Sequence, residues 1–443
     1  FNKNESVILL FDFLRKYYPD FPEAKIEKEY VYTRIFKGTK YNDGFMRKIM
    51  HTLFQLAESY ISIKGFTENL PAVNDELMKQ YYTRNSSSLF LKTRKNVSAS
   101  LNSNELMSSE QFYYSYLSSY RHLAYGAEHK NVDFIKFAGK NDLLEPFEFL
   151  LGHYYSAVMN LYEYYLNTQR MANIEIDDAY FENIFNSFDR KMISKYPYLK
   201  IHYNMIKMLK EPLSEGYFFE NKKLLSENEK AITGPELDNI YVNLQNYCMR
   251  KIRGNRKEYL GELFEIYKLE LAGRTYSQET GISVILYRNI VFTALQLSEI
   301  SFAEKFADDF KQYLPDEGVT NYFYVKAHIA FKRGEFEKIG KYLSRIKSAD
   351  EMLKADIKSM YLLMYYETQA YEQFYSVIDT FRHFLKNNIS ISEERKSIYS
   401  SFLNLASRLT GIKENGNQEK LARLKSDVTE KTDLINKSWL LEK

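Results

Sequence analysis

One cysteine, Cys248, occurs in 443 residues. That excludes an internal disulfide framework and any cysteine-based zinc cluster. Glycine and proline are scarce, at 17 and 8 residues. Together they fall well below the roughly 12% of average usage, too few for the many tight turns of a sheet-rich fold. Sustained period-two alternation of apolar residues is absent. No apolar run approaches the ~18–20 residues of a membrane span. Neither charge sign is in excess: 61 Lys and Arg against 58 Asp and Glu leave a formal +3. Bulk charge therefore gives no support to a dedicated nucleic-acid binder. Common chemical signatures are missing too. There is no GxxxxGK(S/T) to cradle phosphates, no strand followed by GxGxxG, no GxSxG elbow, and no HExxH or CxxC.

What is present is helical patterning. Apolar residues recur at spacings of three and four nearly throughout, and aromatics are abundant, with 39 Tyr and 31 Phe. Large rings bury much area per residue, which suits thin layers whose cores lie close to the surface. The opening "SVILLFDFLRKYYPDF" reads as a helix stopped by Pro19 and Pro22. "AKIEKEYVYTRIF" reads as a second, ending at Gly38. A third follows in "FMRKIMHTLFQLAESYISI", with Ile49, Leu53, Leu56 and Tyr60 on one stripe. The middle holds "ELMSSEQFYYSYLSSYRHLAY", the long "LLEPFEFLLGHYYSAVMNLYEYYLNTQRM", and shorter helices bounded by Pro197, Pro212 and Gly216. Cys248, in the helical "IYVNLQNYCMRKI", is expected as a small buried thiol. Breaks are expected at 67–72, 211–216 and 231–236.

The stretch "YFYVKAHIAFKRGEFEKIGKYL" (322–343) is a complete helical hairpin with its turn at Gly334. Its neighbours superimpose on it. Ile300, Phe336 and Tyr371 fall in register, 36 and 35 residues apart. So do Ala303, Ile339 and Phe374, and Phe310, Ile346 and Phe381. On the first helices Val291, Ala327 and Leu362 align, as do Ala294, Ala330 and Tyr365. A period near 35 means stacked hairpins, each covering its neighbour's apolar face.

The same stretch resembles the tetratricopeptide repeat. Ala327 and Ala330 match the family's small positions, and Gly334-Glu335-Phe336 matches its turn. It departs from the family at Lys326, where a packing Leu is usual, at Ile339 in place of the second-helix Ala, and in lacking a closing Pro. The flanking units, 286–314 and 357–386, lose the turn glycine, so the repeats are degenerate. "LFDFLRKYYPDF", "YNDGFMRKIM", "YETQAYEQFYSVIDTFRHFLKNN" and "WLLEK" resemble a group of uncharacterised all-helical proteins from Bacteroidota. That resemblance implies an all-helical architecture and a bacterial cytoplasm, and no activity.

Candidate chemistry is sparse. The seven histidines are dispersed. His122 and His129 are seven apart, and Gly126 stands between them, whereas zinc needs three or four ligands. The pairs Asp308-Asp309 and Glu393-Glu394 point about 100° apart on a helix and read as solvated surface. The basic cluster Arg250, Lys251, Arg253, Arg256 and Lys257 surrounds a turn. It serves either a helix dipole or an acidic partner or phosphate backbone. The N-terminal segment 25–53 has a helix–turn–helix look, with Arg47 and Lys48 early in the second helix. Its eight-residue connection exceeds the usual 3–4, so plain helical packing is the competing reading.

The expectation is an all-α chain: a right-handed α-α superhelix of tetratricopeptide-like (TPR-like) hairpins behind a less regular helical N-terminal half. The expected regions are an N-terminal helical unit (1–66), a middle helical region (67–235), degenerate hairpins (236–412), and a linker with a capping helix (413–443). The expected function is a non-catalytic, cytoplasmic protein-interaction scaffold without cofactor or metal, binding a protein or peptide. A nucleic-acid-associated regulator is the alternative. A targeting signal ahead of Phe1 is left open. The tetratricopeptide resemblance implies a groove row of Arg288, Phe292 and Gln296, then Tyr324, His328 and Lys332, then Ser359, Leu363 and Glu367. The competing possibility is that the chain's own tail covers this row. Residues 420–441 are expected as one helix docked on 392–410, anchored by Trp439 and Leu440.

Overall fold

The computed structural model describes residues 4–443 apart from 103–105, 129–139, 173, 175–176, 233, 278–279, 316–317, 348–349, 416–417 and 432. Every regular element among the described residues is helical. The chain divides into two compact units, Phe1–Ile232 and Thr233–Lys443. His129 of the spaced histidine pair lies outside the described residues.

In the first unit α1 (Glu5–Arg15), α2 (Glu23–Ile26), α3 (Lys28–Ile35) and α4 (Asp43–Glu68) surround a small core that includes Val7, Leu10, Tyr32 and Ile49. The stretch 24–36, expected as one helix, is instead broken at Glu27. There the extended backbone lets the carboxylate accept the amides of Glu29 and Tyr30 and cap α3. The α4 stripe also packs over less of its length than its sequence implies. Ile49 is buried and Leu53 half-buried, but Leu56 and Tyr60 are exposed. Helices α1 and α3 have 11 and 8 residues against 26 in α4, so they reach only part of it.

The unit continues with α5 (Leu70–Thr83), α6 (Ser87–Asn102), α7 (Ser109–Glu128), α8 (Lys140–Ala172), α9 (Ala179–Asn186), α10 (Arg190–Lys195), α11 (Pro197–Lys210) and α12 (Gly216–Asn228). Helices α7 and α8 approach so closely that Gly152 faces the Phe112 ring with no room for a Cβ. Gly152→Ala should therefore cost about 1–3 kcal/mol by overpacking, read as a lower midpoint in urea.

The second unit begins with four hairpins. They are α13 (Gly234–Arg253) with α14 (Tyr259–Gly273), α15 (Val284–Gln296) with α16 (Ile300–Phe310), α17 (Val319–Arg333) with α18 (Phe336–Leu343), and α19 (Glu351–Glu367) with α20 (Tyr371–Asn387). Then come α21 (Glu393–Asn415), α22 (Gln418–Glu430) and α23 (Lys437–Glu442). Cys248 is buried in α13.

The hairpin turns share one construction. Asn255, Ser298, Gly334 and Gln369 each end a first helix in the left-handed region, at φ 66°, 62°, 74° and 57°. In each, the following amide returns to the carbonyl five residues back: Arg256 to Lys251, Glu299 to Ala294, Glu335 to Ala330 and Ala370 to Tyr365, all at 2.9 Å. This closes carbonyls that a helix end leaves open. The flanking units lose the glycine but keep the turn, at the cost of a Cβ in a left-handed backbone. Ser298→Gly and Gln369→Gly should each stabilise by about 0.5–1 kcal/mol, whereas Gly334→Ala should destabilise by about 1 kcal/mol. Thermal melts of the three variants check the opposite signs.

Two of the aligned columns are fully buried packing seams of these hairpins. Val291, Ala327 and Leu362 are each 0% exposed, and so are Ala303, Ile339 and Phe374. Phe336 is only partly buried, its ring 5.8 Å from Phe331. Truncating it should cost less than the loss of a fully buried ring. Lys326, standing where a tetratricopeptide repeat has Leu, is buried. Its ammonium lies 3.2 Å from Glu304 and 3.1 Å from Asp308, so it ties α17 to α16 with charge instead of apolar contact. Asp308, expected as solvated surface, is thus a partner of Lys326, and it also accepts the Tyr322 hydroxyl at 2.9 Å.

The tail differs from the single helix expected over 420–441. Helix α21 runs on to Asn415 through part of the expected linker. The chain then forms α22 and α23, separated by 431–436, with Asn436 at φ 52°. Trp439 and Leu440 of α23, 7% and 1% exposed, join the same core as Phe374 and Phe402.

Candidate functional site

The first helices of the hairpins carry the groove row, and the row divides by environment. Phe292 and Gln296 of α15, His328 and Lys332 of α17, and Leu363 of α19 line a cavity of about 440 Å³. The tail closes it with Leu434 and Asn436 ahead of α23 and Trp439 and Glu442 within it. A second cavity of about 270 Å³ shares Phe292 and Gln296 and extends to Arg253 and Tyr267. The two cavities adjoin through Phe292 and Gln296. Gln296 and Lys332 are exposed at the edge of the larger, while Leu363 is buried in its floor.

The other row members are committed to the protein itself. Ser359 is buried and donates to the Ala355 carbonyl within α19. Tyr324 is buried with the Arg288 guanidinium over its ring at 4.8 Å. Arg288 also stands 3.7 Å from Asp356, which accepts the Tyr399 hydroxyl at 2.6 Å. Burial pushes the Asp356 carboxyl above its ordinary value, although Tyr399 and Arg288 oppose it. Burial likewise raises the Tyr399 and Tyr324 phenols. These groups join four helices, α15, α17, α19 and α21.

His328 lies between this network and the cavity. Its ring sits 4.8 Å from Phe292 and 4.7 Å from Tyr324, and its Nε2 is buried without a hydrogen-bond partner. Loss of water, reinforced by the Arg288 charge, brings its pKa down to about 3. The imidazole is therefore neutral at physiological pH.

Glu367, the last member of the row, is held by the tail. It accepts the Trp439 indole N–H at 2.7 Å and pairs with Lys443 at 2.7 Å. Trp439 also packs edge-on to Tyr366 at 4.9 Å. The spacing of Trp439 and Lys443 puts both on one side of α23. Lys437, at the start of that helix, donates to the Thr429 and Lys431 carbonyls at 2.9 and 2.6 Å, which closes the end of α22.

The basic cluster largely serves its own hairpin. Arg250 and Lys251 lie over the Tyr247 ring at 5.7 and 5.3 Å, and Arg256 lies over Tyr259 at 5.7 Å while pairing with Glu258. Arg253 and Lys257 are exposed, and Arg253 borders the smaller cavity. At the N-terminus Arg47 is paired with Asp43 at 2.7 Å on the exposed face of α4. Among the described residues no group of three His, Cys, Asp or Glu is placed to hold a metal ion, and no helix is long and apolar enough to cross a membrane.

Sequence reasoning missed Asp356, Tyr399 and the Lys326 bridge. The Tyr399–Asp356 contact spans 43 residues, beyond any local pattern. Only the departure at Lys326 gave a signal, since a lysine on a packing seam needs anions nearby. No family model matches the chain, and no match to it is found among curated proteins or solved structures.

Proposed function

We propose that the protein is a non-catalytic interaction scaffold. Its stacked hairpins form a tetratricopeptide-like superhelix whose first-helix face holds a segment of a partner protein. The observation that carries this reading is the pair of cavities beside α15, α17 and α19 that share Phe292 and Gln296, a depression apolar in its floor and edged by Gln296, Lys332 and Arg253. Concave surfaces of hairpin arrays suit extended segments of other chains. The edge cations favour a segment with apolar side chains and acidic flanks. Helix α23 stands at one end of the depression as an internal occupant, so a partner that uses this end displaces it.

Two experiments test the reading. Lys332→Glu with Gln296→Arg changes exposed edge residues and should abolish a partner that co-purifies with the wild type. Retention by the double variant, with or without nuclease, overturns the groove assignment. Trp439 is the only tryptophan, so its emission follows α23. It should be blue-shifted in the folded protein and shift to the red in Glu367→Ala, which removes both tail contacts. An unchanged spectrum would mean that α23 does not depend on this clasp.

The nucleic-acid reading has less to stand on, because among the exposed cations at the basic turn Arg256 is paired with Glu258, which leaves Arg253 and Lys257. If they contact phosphates, Arg253→Gln and Lys257→Gln should each reduce the salt dependence of duplex binding by about one counterion. Equal and negligible binding by wild type and variants removes this alternative.

A further inference from the structure

A cavity of about 530 Å³ lies between α18, α19 and α20 and shares no lining residue with the groove. Its size is that of a small-molecule site. Ile346, Ile357, Val377 and Phe384 make its walls apolar. Helix α19 adds Lys354, Lys358 and Tyr361, whose spacing of four and three puts them on one face. Lys354 is already compensated by Glu351 at 2.7 Å. Lys358 is not: it is half-buried, its ammonium 5.6 Å from the Phe384 ring centroid, and no carboxylate among the described residues pairs with it.

Several other withdrawn cations of this chain have carboxylate partners, while Arg170, whose pKa burial also lowers, donates to the Leu209 carbonyl. Lys326 has Glu304 and Asp308, Lys210 has Asp178 and Glu182, and Arg288 has Asp356. Burial alone depresses the Lys358 pKa, the mark of an ammonium that lacks an anion. Burial also raises the Tyr361 phenol, which keeps it a hydrogen-bond donor on the same face. A neutral apolar guest would leave the Lys358 charge uncompensated. A dianion would need a second free cation, and Lys354 is taken.

We infer that this cavity binds a small amphipathic monocarboxylate, with its carboxylate on Lys358 and its apolar chain against Ile346, Ile357, Val377 and Phe384. The site stands independently of the groove reading.

Calorimetric titration of the full chain with hexanoate, octanoate and decanoate tests it, with 1-octanol as the uncharged comparison. Each added methylene should tighten binding by about twofold to fourfold, as burial of apolar chain requires. Octanoate should bind wild type at least several-fold more tightly than 1-octanol. Lys358→Met, which keeps an apolar side chain of similar length, should weaken octanoate about tenfold or more and leave 1-octanol within about twofold. Lys358→Arg should retain the acids, and the emission of Trp439 on heating checks that each variant is folded. The proposal is overturned if no acid gives a saturable heat. It is overturned equally if Lys358→Met binds octanoate as tightly as wild type. Should Lys358→Met fail to fold, equal wild-type affinities for octanoate and 1-octanol would overturn it instead.

Discussion

Phe374→Ala should lower the unfolding free energy of the second unit by about 3–5 kcal/mol, the range for removing a fully buried ring. Phe374 is 0% exposed in the seam between α19 and α20, 6.3 Å from the Tyr366 ring and 5.5 Å from Tyr375. Both helices of the hairpin are held by that seam, so the space left by the ring cannot close without moving one of them. Such rigidity keeps the cavity term in the cost. Phe336, in the preceding hairpin at a different register position and only partly buried, supplies the control: its alanine variant should lose distinctly less. Urea denaturation followed through Trp439 isolates the second unit because no other tryptophan contributes. Two-state analysis applies to that unit's transition and not to the whole chain. Equal losses in the two variants would show that the seam does not distinguish these positions.

The difference between the two phenylalanines also marks where the sequence was legible. Helical content and hairpin register could be read, since a seam repeats the same packing demand every 35 or 36 residues. Val291, Ala327 and Leu362 answer it with three different side chains and the same burial. The turns were half legible. Gly334 announced itself, whereas Ser298 and Gln369 take the same left-handed backbone without a glycine to signal it. The groove row was legible as a helix face but not in its chemistry. Spacing places Arg288, Tyr324 and Glu367 on that face. It carries no information that Asp356, Tyr399 and Trp439 come from elsewhere to engage them. The α4 stripe failed for a related reason: an apolar pattern states what a helix offers, and the lengths of α1 and α3 decide what is covered. In the tail, the periodicity of Leu421, Leu424 and Val428 continued smoothly enough to hide the break at 431–436. The contact of Trp439 with Glu367, 72 residues away, carries no local signal.

Acidification from pH 6.5 to 4.5 should cost the second unit about 2–3 kcal/mol through His328 alone. In the unfolded chain this imidazole takes up a proton near pH 6.5. In the fold it stays neutral down to about pH 3, first because burial removes its water and second because Arg288 opposes a further positive charge. Between those values the unfolded state binds one proton more than the folded state. Unfolding free energy therefore falls as pH falls, by up to about 1.4 kcal/mol per unit. The contribution is complete above pH 6.5 and is lost progressively below it. The opposite sign would require a partner that stabilises the imidazolium, and Nε2 has no hydrogen-bond acceptor beside it. The Asp356 carboxylate is paired with Arg288, whose positive charge is the one that acts on the imidazole. His328→Phe keeps a flat ring between Phe292 and Tyr324 and removes the titration. Urea curves for wild type and variant at pH 7, 6, 5 and 4.5, read through Trp439, should run apart with acidification, the wild type falling more steeply. Parallel lines would mean that His328 is protonated as readily in the fold as out of it, and that the cavity beneath α23 is wet enough to hold an imidazolium.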